Sequence, residues 1–169
     1  MSDEHFMEMA LVEAEVALAA GEFPVGCILV ADQRVVATGG RTGTRGGRPN
    51  ELDHAEMVAL RRLGQCHETV DPAVITVYTT MEPCLMCFGS LILHRIGRVV
   101  WAYEDVMGGG TGCDLSALPP LYRRSPIIRV PGVLRSRSLA LFKRFFENPA
   151  NAYWQGSLLA RYTLAAEFA

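Results

Sequence analysis

The chain has 169 residues, half of them hydrophobic, with a formal net charge of −2 and a pI near 6.1. That length and apolar share suit a single folded domain over residues 1–169. The acidic balance excludes a basic nucleic-acid footprint spread over the whole chain, though not a local patch.

The amino terminus, MSDEHFMEMALVEAEVALAAGE, opens acidic, unlike a secretory signal. Residues 4–20 carry Phe6, Met9, Ala10, Leu11, Val16, Ala17 and Ala20 near helical spacing, and Gly21 suits the helix end. PVGCILV (24–30) and VVATG (35–39), split by Asp32-Gln33-Arg34, read as a β-hairpin. Residues 39–50, with five glycines, three arginines and Pro49, read as a mobile loop. Asp53 is a candidate cap for a helix over about 54–64.

VITVYT (74–79) is a buried strand. Pro83 suits the first turn of a helix over about 84–94, and Gly97 precedes a strand, RVVWAY. Residues 111–126, with Pro119, Pro120 and Pro126, read as irregular. A last strand falls at 127–130, a helix at 136–147 with Leu139, Phe142 and Phe146 on one face, and a further helix within 150–166. This alternation predicts a three-layer α/β/α domain, with helices on both faces of one sheet. No window approaches the ~18 unbroken apolar residues of a membrane span, so a soluble, cytoplasmic protein is expected.

Five cysteines at irregular spacing do not form a disulfide framework and suggest metal or redox chemistry instead. Two segments stand out, DHAE (53–56) and MEPCLMC (81–87). Cys84 and Cys87 lie three apart at a helix start, where both sulfurs share a face. The helix dipole and free amides there favour thiolates. His54 can bring a neutral imidazole. Two thiolates and that imidazole balance the charge of Zn2+ and leave a fourth position for water, the pattern of a catalytic zinc. Glu56 is placed to carry a proton from that water to a leaving nitrogen.

His54-Ala55-Glu56 and Pro83-Cys84-Leu85-Met86-Cys87 match H-x-E…P-C-x-x-C in order and spacing. The chain therefore resembles the cytidine deaminase superfamily, and within it the tRNA-specific adenosine deaminases. The resemblance spans roughly 5–147 and includes EFPVGCILV (22–30), HAEMVALR (54–61) and EPCLMCFGSLILHRIGRVV (82–100), with SLALFKRFF (138–146) a looser match. It implies a mixed five-stranded sheet, one zinc per chain and a homodimer. It also implies backbone amides of Ala55 and Cys84 beside the reacting oxygen, and a base pocket walled by Pro24 and Val25. Residues 148–169 form a helical extension to that core.

Two departures bear on the substrate. An asparagine that contacts the nucleotide in the adenosine deaminases falls on Arg41 or Gly43 here, with Asn50 as a candidate substitute. Their basic carboxy-terminal stretch is replaced by ENPANAYWQGSLLARYTLAAEFA, whose single basic residue is Arg161. The core match favours adenosine in a tRNA anticodon loop. The pI and the two departures favour a free nucleoside or nucleobase: cytidine, cytosine, guanine or adenine.

Plainer readings compete at each residue. Cys84 and Cys87 could belong to a closed zinc knuckle completed by Cys27, Cys66, Cys113, His67 or His94, or to a thioredoxin-like redox pair, which leaves His-x-Glu unexplained. A non-catalytic zinc-stabilised binding domain is a third option. Cys27 reads as core and Cys113 as loop. The Gly108–Gly112 run lacks the P-loop pattern. Arg41, Arg45, Arg48, Arg123 and Arg124 could meet phosphate. Trp101 and Tyr103 read as strand core, and Tyr153 and Trp154 as helix packing rather than a pocket cover.

Overall fold

A computed structural model describes residues 1–66 and 70–168. Five strands, β1 (Gly26–Ala31), β2 (Arg34–Gly40), β3 (Thr76–Met81), β4 (Arg98–Tyr103) and β5 (Ile128–Val130), form one sheet in the order β2-β1-β3-β4-β5. β1 pairs antiparallel with β2 and β3; β3–β4 and β4–β5 are parallel. The mixed sheet matches the expected fold.

The hairpin between β1 and β2 turns on Asp32 and Gln33, both with positive φ (49° and 61°). Such a two-residue left-handed turn matches the twist of the flanking strands. The helices are α1 (Asp3–Ala19), α2 (Ala55–Leu63), α3 (Leu85–Leu93), the single turn α4 (Pro120–Arg123), α5 (Arg135–Glu147) and α6 (Leu158–Ala165). None is long and apolar enough to cross a membrane among the described residues.

Alternation along the strands divides the core into two layers. Ile28, Val30, Tyr78, Val100 and Ala102 pack with Phe6, Met7, Ala10, Leu11 and Ala14 of α1 and with Leu141 of α5. Cys27, Leu29, Val77, Val99 and Trp101 pack on the opposite face with Ala59 and Leu60 of α2 and Phe88 and Leu91 of α3. Helices thus cover both faces. The rings of Phe142, Phe145 and Phe146 surround Phe23 at centroid distances of 5.1–5.9 Å, which ties α5 to the segment before β1.

Two glycines set how close the helices come. A Cβ on Gly26 would lie 2.2 Å from the Ala10 carbonyl of α1, and one on Gly39 would lie 2.2 Å from the Ala55 carbonyl of α2. Gly39 belongs to β2, as the hairpin reading of 35–39 expects, and only glycine there lets α2 start against the strand; Gly40 carries β2 one residue into the expected loop. That loop is tied down as well: Thr44 is buried and bonded to Glu22.

Other boundaries move for local reasons. β3 begins at Thr76, because Asp71 caps a 3-10 turn over Pro72–Val74, with Ala73 N–H donating to its carboxylate at 3.0 Å. Residues 111–126 hold one 3-10 turn and the α4 turn, otherwise irregular as expected. The carboxy-terminal helix begins only at Leu158. Trp154 and Gly156 have φ of 55° and 68°, so 149–157 cannot continue a right-handed helix.

Candidate active site

The carboxyl ends of β2 and β3 lie at the same edge of the sheet, because Gly26 pairs with Gly40 and Cys27 with Thr79. From that edge the chain enters α2 and α3, so both helices start there. His54 and Cys84 are the N-cap residues of these helices, each extended (ψ 151° and 171°) and neither bonding its own helix through its side chain. Two expectations are corrected. Asp53 does not cap α2; it pairs with Arg61 and accepts from the Asn50 amide. Pro83 lies outside α3, one residue before the cap, because the extended Cys84 pairs with Gly109.

Cap residues in extended conformation throw their side chains off the helix start. The result is a cluster of His54 Nδ1, Cys84 Sγ and Cys87 Sγ, all within 4.8 Å of one another. Nδ1 is 3.6 Å from Cys84 Sγ and 3.5 Å from Cys87 Sγ. One ring nitrogen has one lone pair, so two thiols cannot both donate to it well. Sulfur–nitrogen edges of about 3.5 Å are, however, what a tetrahedral zinc with bonds of ~2.3 Å to sulfur and ~2.0–2.1 Å to nitrogen produces.

Charge argues the same way. The Cys84 thiol is brought down to about 4 by the hydrogen bond from Cys87 and, against its burial, by His54. That same bond pushes the Cys87 thiol up, and burial and Glu56 add to it. Burial opposes a charged His54, yet its hydrogen bond with Cys84 and the charges of Glu56 and Cys84 prevail and raise its pKa. The site holds one thiolate readily and resists the second until a cation compensates it. The residues present therefore fit a zinc ion. Among the described residues, Cys27, Cys66, Cys113 and His94 do not join the cluster. The knuckle loses those four candidates, and His67 lies outside the described residues.

Glu56, in the first turn of α2, is 3% exposed. Its Oε1 accepts from Thr79 Oγ1 at 3.2 Å and its Oε2 from Cys87 Sγ at 3.6 Å. Burial raises its pKa. It lines a cavity of 420 Å³ together with His54, Ala55, Cys84 and Val25. Pro24 is absent from the lining among the described residues; its neighbour Phe23 takes the place.

Arg41 lines the cavity but is not free to meet a substrate. It is 2% exposed. Its Nη1 donates to the carbonyls of Thr42, Asn50 and Asp53 (2.7, 2.7 and 3.0 Å), and Nη2 donates to Glu51 (3.0 Å) and to the Tyr153 hydroxyl (3.3 Å). Asn50 does not line the cavity among the described residues. Within Gly108–Gly112, Gly110 serves packing: its N–H donates to the Pro83 carbonyl at 2.9 Å, and a Cβ on it would lie 2.6 Å from Leu85 Cα, whereas Gly108 lines the cavity. Trp101 and Tyr103 are core, as expected.

Tyr153 and Trp154 line the cavity, which corrects their assignment to helix packing. The turn-rich NPANAYWQG run was the available signal, because it breaks the helix where these rings turn toward the site. Glu51, Met107 and Asp105 also line it. Burial raises the Asp105 carboxyl, and no sequence pattern marked these three.

The family model of the cytidine and deoxycytidylate deaminase zinc-binding region matches residues 1–103. The chain belongs to this family. The deaminase is 35% identical over 149 residues to the tRNA-specific adenosine deaminase of Agrobacterium fabrum, covering 84% of this chain and 92% of that one. A structure solved in work on A-to-I editing by tRNA:A34 deaminases at the wobble position of transfer RNA superposes with a TM-score of 0.68 and 31% identity, over 81% of this chain and 98% of that one. Guanine deaminase from Nitrosomonas europaea shares the fold at a TM-score of 0.67 and 21% identity, over 85% and 84% of the two chains. The chain is a hydrolytic deaminase of the nucleobase-acting kind, similar above all to enzymes of tRNA A-to-I editing.

Proposed function

We propose that the chain converts adenosine in tRNA to inosine, using one zinc ion per chain held by His54, Cys84 and Cys87, with Glu56 as the proton carrier. The likeness to the Agrobacterium fabrum enzyme over nearly its whole length carries the substrate. The cluster of one imidazole and two sulfurs carries the ligand set.

Zinc, when bound, supplies a Lewis acid that makes water a competent nucleophile near neutral pH. Glu56 takes a proton from the attacking water as its oxygen adds to the base carbon that bears the amine. It passes that proton to the ring nitrogen, takes the second proton from the added oxygen and gives it to the departing amine. The carbon–nitrogen bond breaks, the carbon keeps the oxygen and ammonia leaves. A carboxyl raised by burial is suited to both directions of transfer. The free amide of Ala55, at the first position of α2, is available to the reacting oxygen. Val25 walls the base.

In this proposal residues 1–169 form one domain and the enzyme acts in the cytoplasm, where thiols stay reduced; Cys27, Cys66 and Cys113 are unpaired. Two copies would meet through α3, whose Leu85 and Leu93 are exposed on one stripe with Gly89 in open space between them. Sedimentation of Leu85→Glu beside the parent protein checks that contact.

A second reading rests on Tyr153 and Trp154. They close one side of a cavity whose 420 Å³ suits a single base or nucleoside, and Arg41 is tied down. A free base or nucleoside is then the substrate. Ammonia release over free bases, nucleosides and tRNA separates the two. Turnover of tRNA that weakens steeply with salt supports the first; salt-insensitive turnover of a free base, with tRNA inert, overturns it.

A further inference from the structure

We propose that Glu51 is a positioning residue for His54, and that Arg41 and Tyr153 hold Glu51 in place for that task. The inference rests on the reading that His54 Nδ1 is a metal ligand. An imidazole that gives the lone pair of Nδ1 to a metal carries its proton on Nε2. Ligating histidines donate that second N–H to a carboxylate, carbonyl or water, which fixes the tautomer and the ring plane. Here Nε2 lies 3.7 Å from Glu51 Oε2. That is longer than a hydrogen bond and within the distance of an ion-pair contact.

Glu51 would have little reason to stay there by itself. It sits in a loop, three residues before His54, outside any helix or strand. What holds it is a set of long-range contacts. The Tyr153 hydroxyl donates to Glu51 Oε2 at 2.8 Å, and Arg41 Nη2 donates to the same oxygen at 3.0 Å. Arg41 is immobile in turn: three backbone carbonyls of its own loop accept from Nη1, and its guanidinium lies 5.7 Å from the centre of the Tyr153 ring. One of those carbonyls belongs to Asp53, the residue before the ligand. The carboxy-terminal segment thereby reaches the metal cluster through Tyr153, Glu51 and His54.

A competing role for Glu51 is to neutralise the buried Arg41 and nothing more. The two roles respond differently to substitution. Glutamine keeps an acceptor oxygen for Nε2 but removes the charge; alanine removes both. Tyr153→Phe keeps the ring over Arg41 and removes the hydroxyl that donates to Glu51 at 2.8 Å and accepts from Arg41 at 3.3 Å.

Zinc affinity, measured on the full chain by competition with a chromophoric chelator, reads the effect without turnover. The absorption bands of the cobalt(II)-loaded protein report ligand geometry alongside. Glu51→Ala is expected to weaken zinc about 10–100-fold and to shift the cobalt bands. Glu51→Gln is expected to recover most of the affinity, and Tyr153→Phe to lose a few-fold while melting like the parent in its metal-free form. Glu51→Ala within about twofold of the parent, with unchanged cobalt bands, overturns the proposal. So does a Glu51→Gln loss as large as that of alanine, which assigns Glu51 to Arg41. Should alanine prevent folding, Glu51→Gln and Tyr153→Phe decide alone, because a positioning role demands that the first retain affinity and the second reduce it. A parent chain that binds no zinc, or a His54→Ala variant that binds it as tightly, breaks the ligand reading itself.

Discussion

The two walls of the cavity are built in different ways. The wall with the cluster is made of helix starts: His54 and Cys84 are caps, and Glu56 and Cys87 lie in the first turns of α2 and α3. Close backbone packing sets their places, with no space for even a methyl group at Gly39 against the start of α2 or at Gly110 against the start of α3. The facing wall is made of loop residues, Arg41 and Glu51 from one loop, Tyr153 and Trp154 from another, joined by side-chain hydrogen bonds. In the proposed mechanism the chemistry sits on the wall set by backbone packing, where small displacements cost most. In that proposal, selection of the substrate would fall to the loop wall, which a few substitutions can rebuild.

The sharpest break between the walls is Glu56→Gln. The amide keeps the shape and can still accept from Thr79, but it cannot carry a proton. Turnover should fall about 10²–10⁴-fold. Zinc content should stay near that of the parent, because Glu56 is not in the cluster. Metal analysis and ammonia release on one sample check both. Parent-like turnover would remove Glu56 from the mechanism.

Gly39→Ala tests whether backbone packing fixes the cluster wall. The added methyl meets the Ala55 carbonyl, one residue past His54, so α2 must shift at its start. Overpacking of this kind costs about 1–3 kcal/mol. Urea unfolding should show that loss, and zinc affinity should drop with it. Lost stability with unchanged zinc affinity would mean that His54 follows the metal rather than the helix.

Trp154→Ala tests the other wall. The ring is 43% exposed at the rim of the cavity, where a base can stack on it. Stacking of that kind is worth about 1–3 kcal/mol. Lost uniformly from ground and transition states, about 1 kcal/mol raises KM several-fold and leaves kcat alone. A fall in kcat at constant KM would place Trp154 with the chemistry and blur the difference between the walls.

The sequence was legible where function depends on local spacing. His-x-Glu and C-x-x-C bring their side chains together because helix starts impose one geometry, and the period of the strands gave the two-faced sheet. It was opaque where function depends on contacts far along the chain. Tyr153 meets Arg41 across 112 positions, and no periodicity encodes that. Arg41 has the charge of a phosphate contact and stands where the resemblance places a nucleotide-contacting asparagine, yet burial and bonding to three carbonyls turn it inward. Asp53 had the composition of a cap, but Arg61 and Asn50 engage it instead. Local propensity named the residue type that belongs at a helix start, and tertiary contacts reassigned the residue.

Asp3→Asn serves as the reference against which both walls are measured, since it alters stability away from the cavity. Asp3, in the first turn of α1, takes two hydrogen bonds from Arg98 of β4 (2.7 and 2.6 Å) and one from the Tyr78 hydroxyl (2.9 Å). Arg98 holds its carboxyl below the usual value against the opposing effect of burial, and Tyr78 assists. A carboxyl lowered in the folded state adds stability above the unfolded pKa of about 3.9 and loses it as pH falls through the folded value. The pair is partly exposed, so its worth near neutral pH is about 1 kcal/mol, at the upper end for such pairs because the geometry is bidentate. Asp3→Asn should therefore melt lower than the parent at pH 7, and the gap should begin to narrow below about pH 4 and close as pH falls through the lowered folded value. KM, kcat and zinc content should not change. A gap that persists at low pH would assign the loss to packing at the start of α1 rather than to the charge.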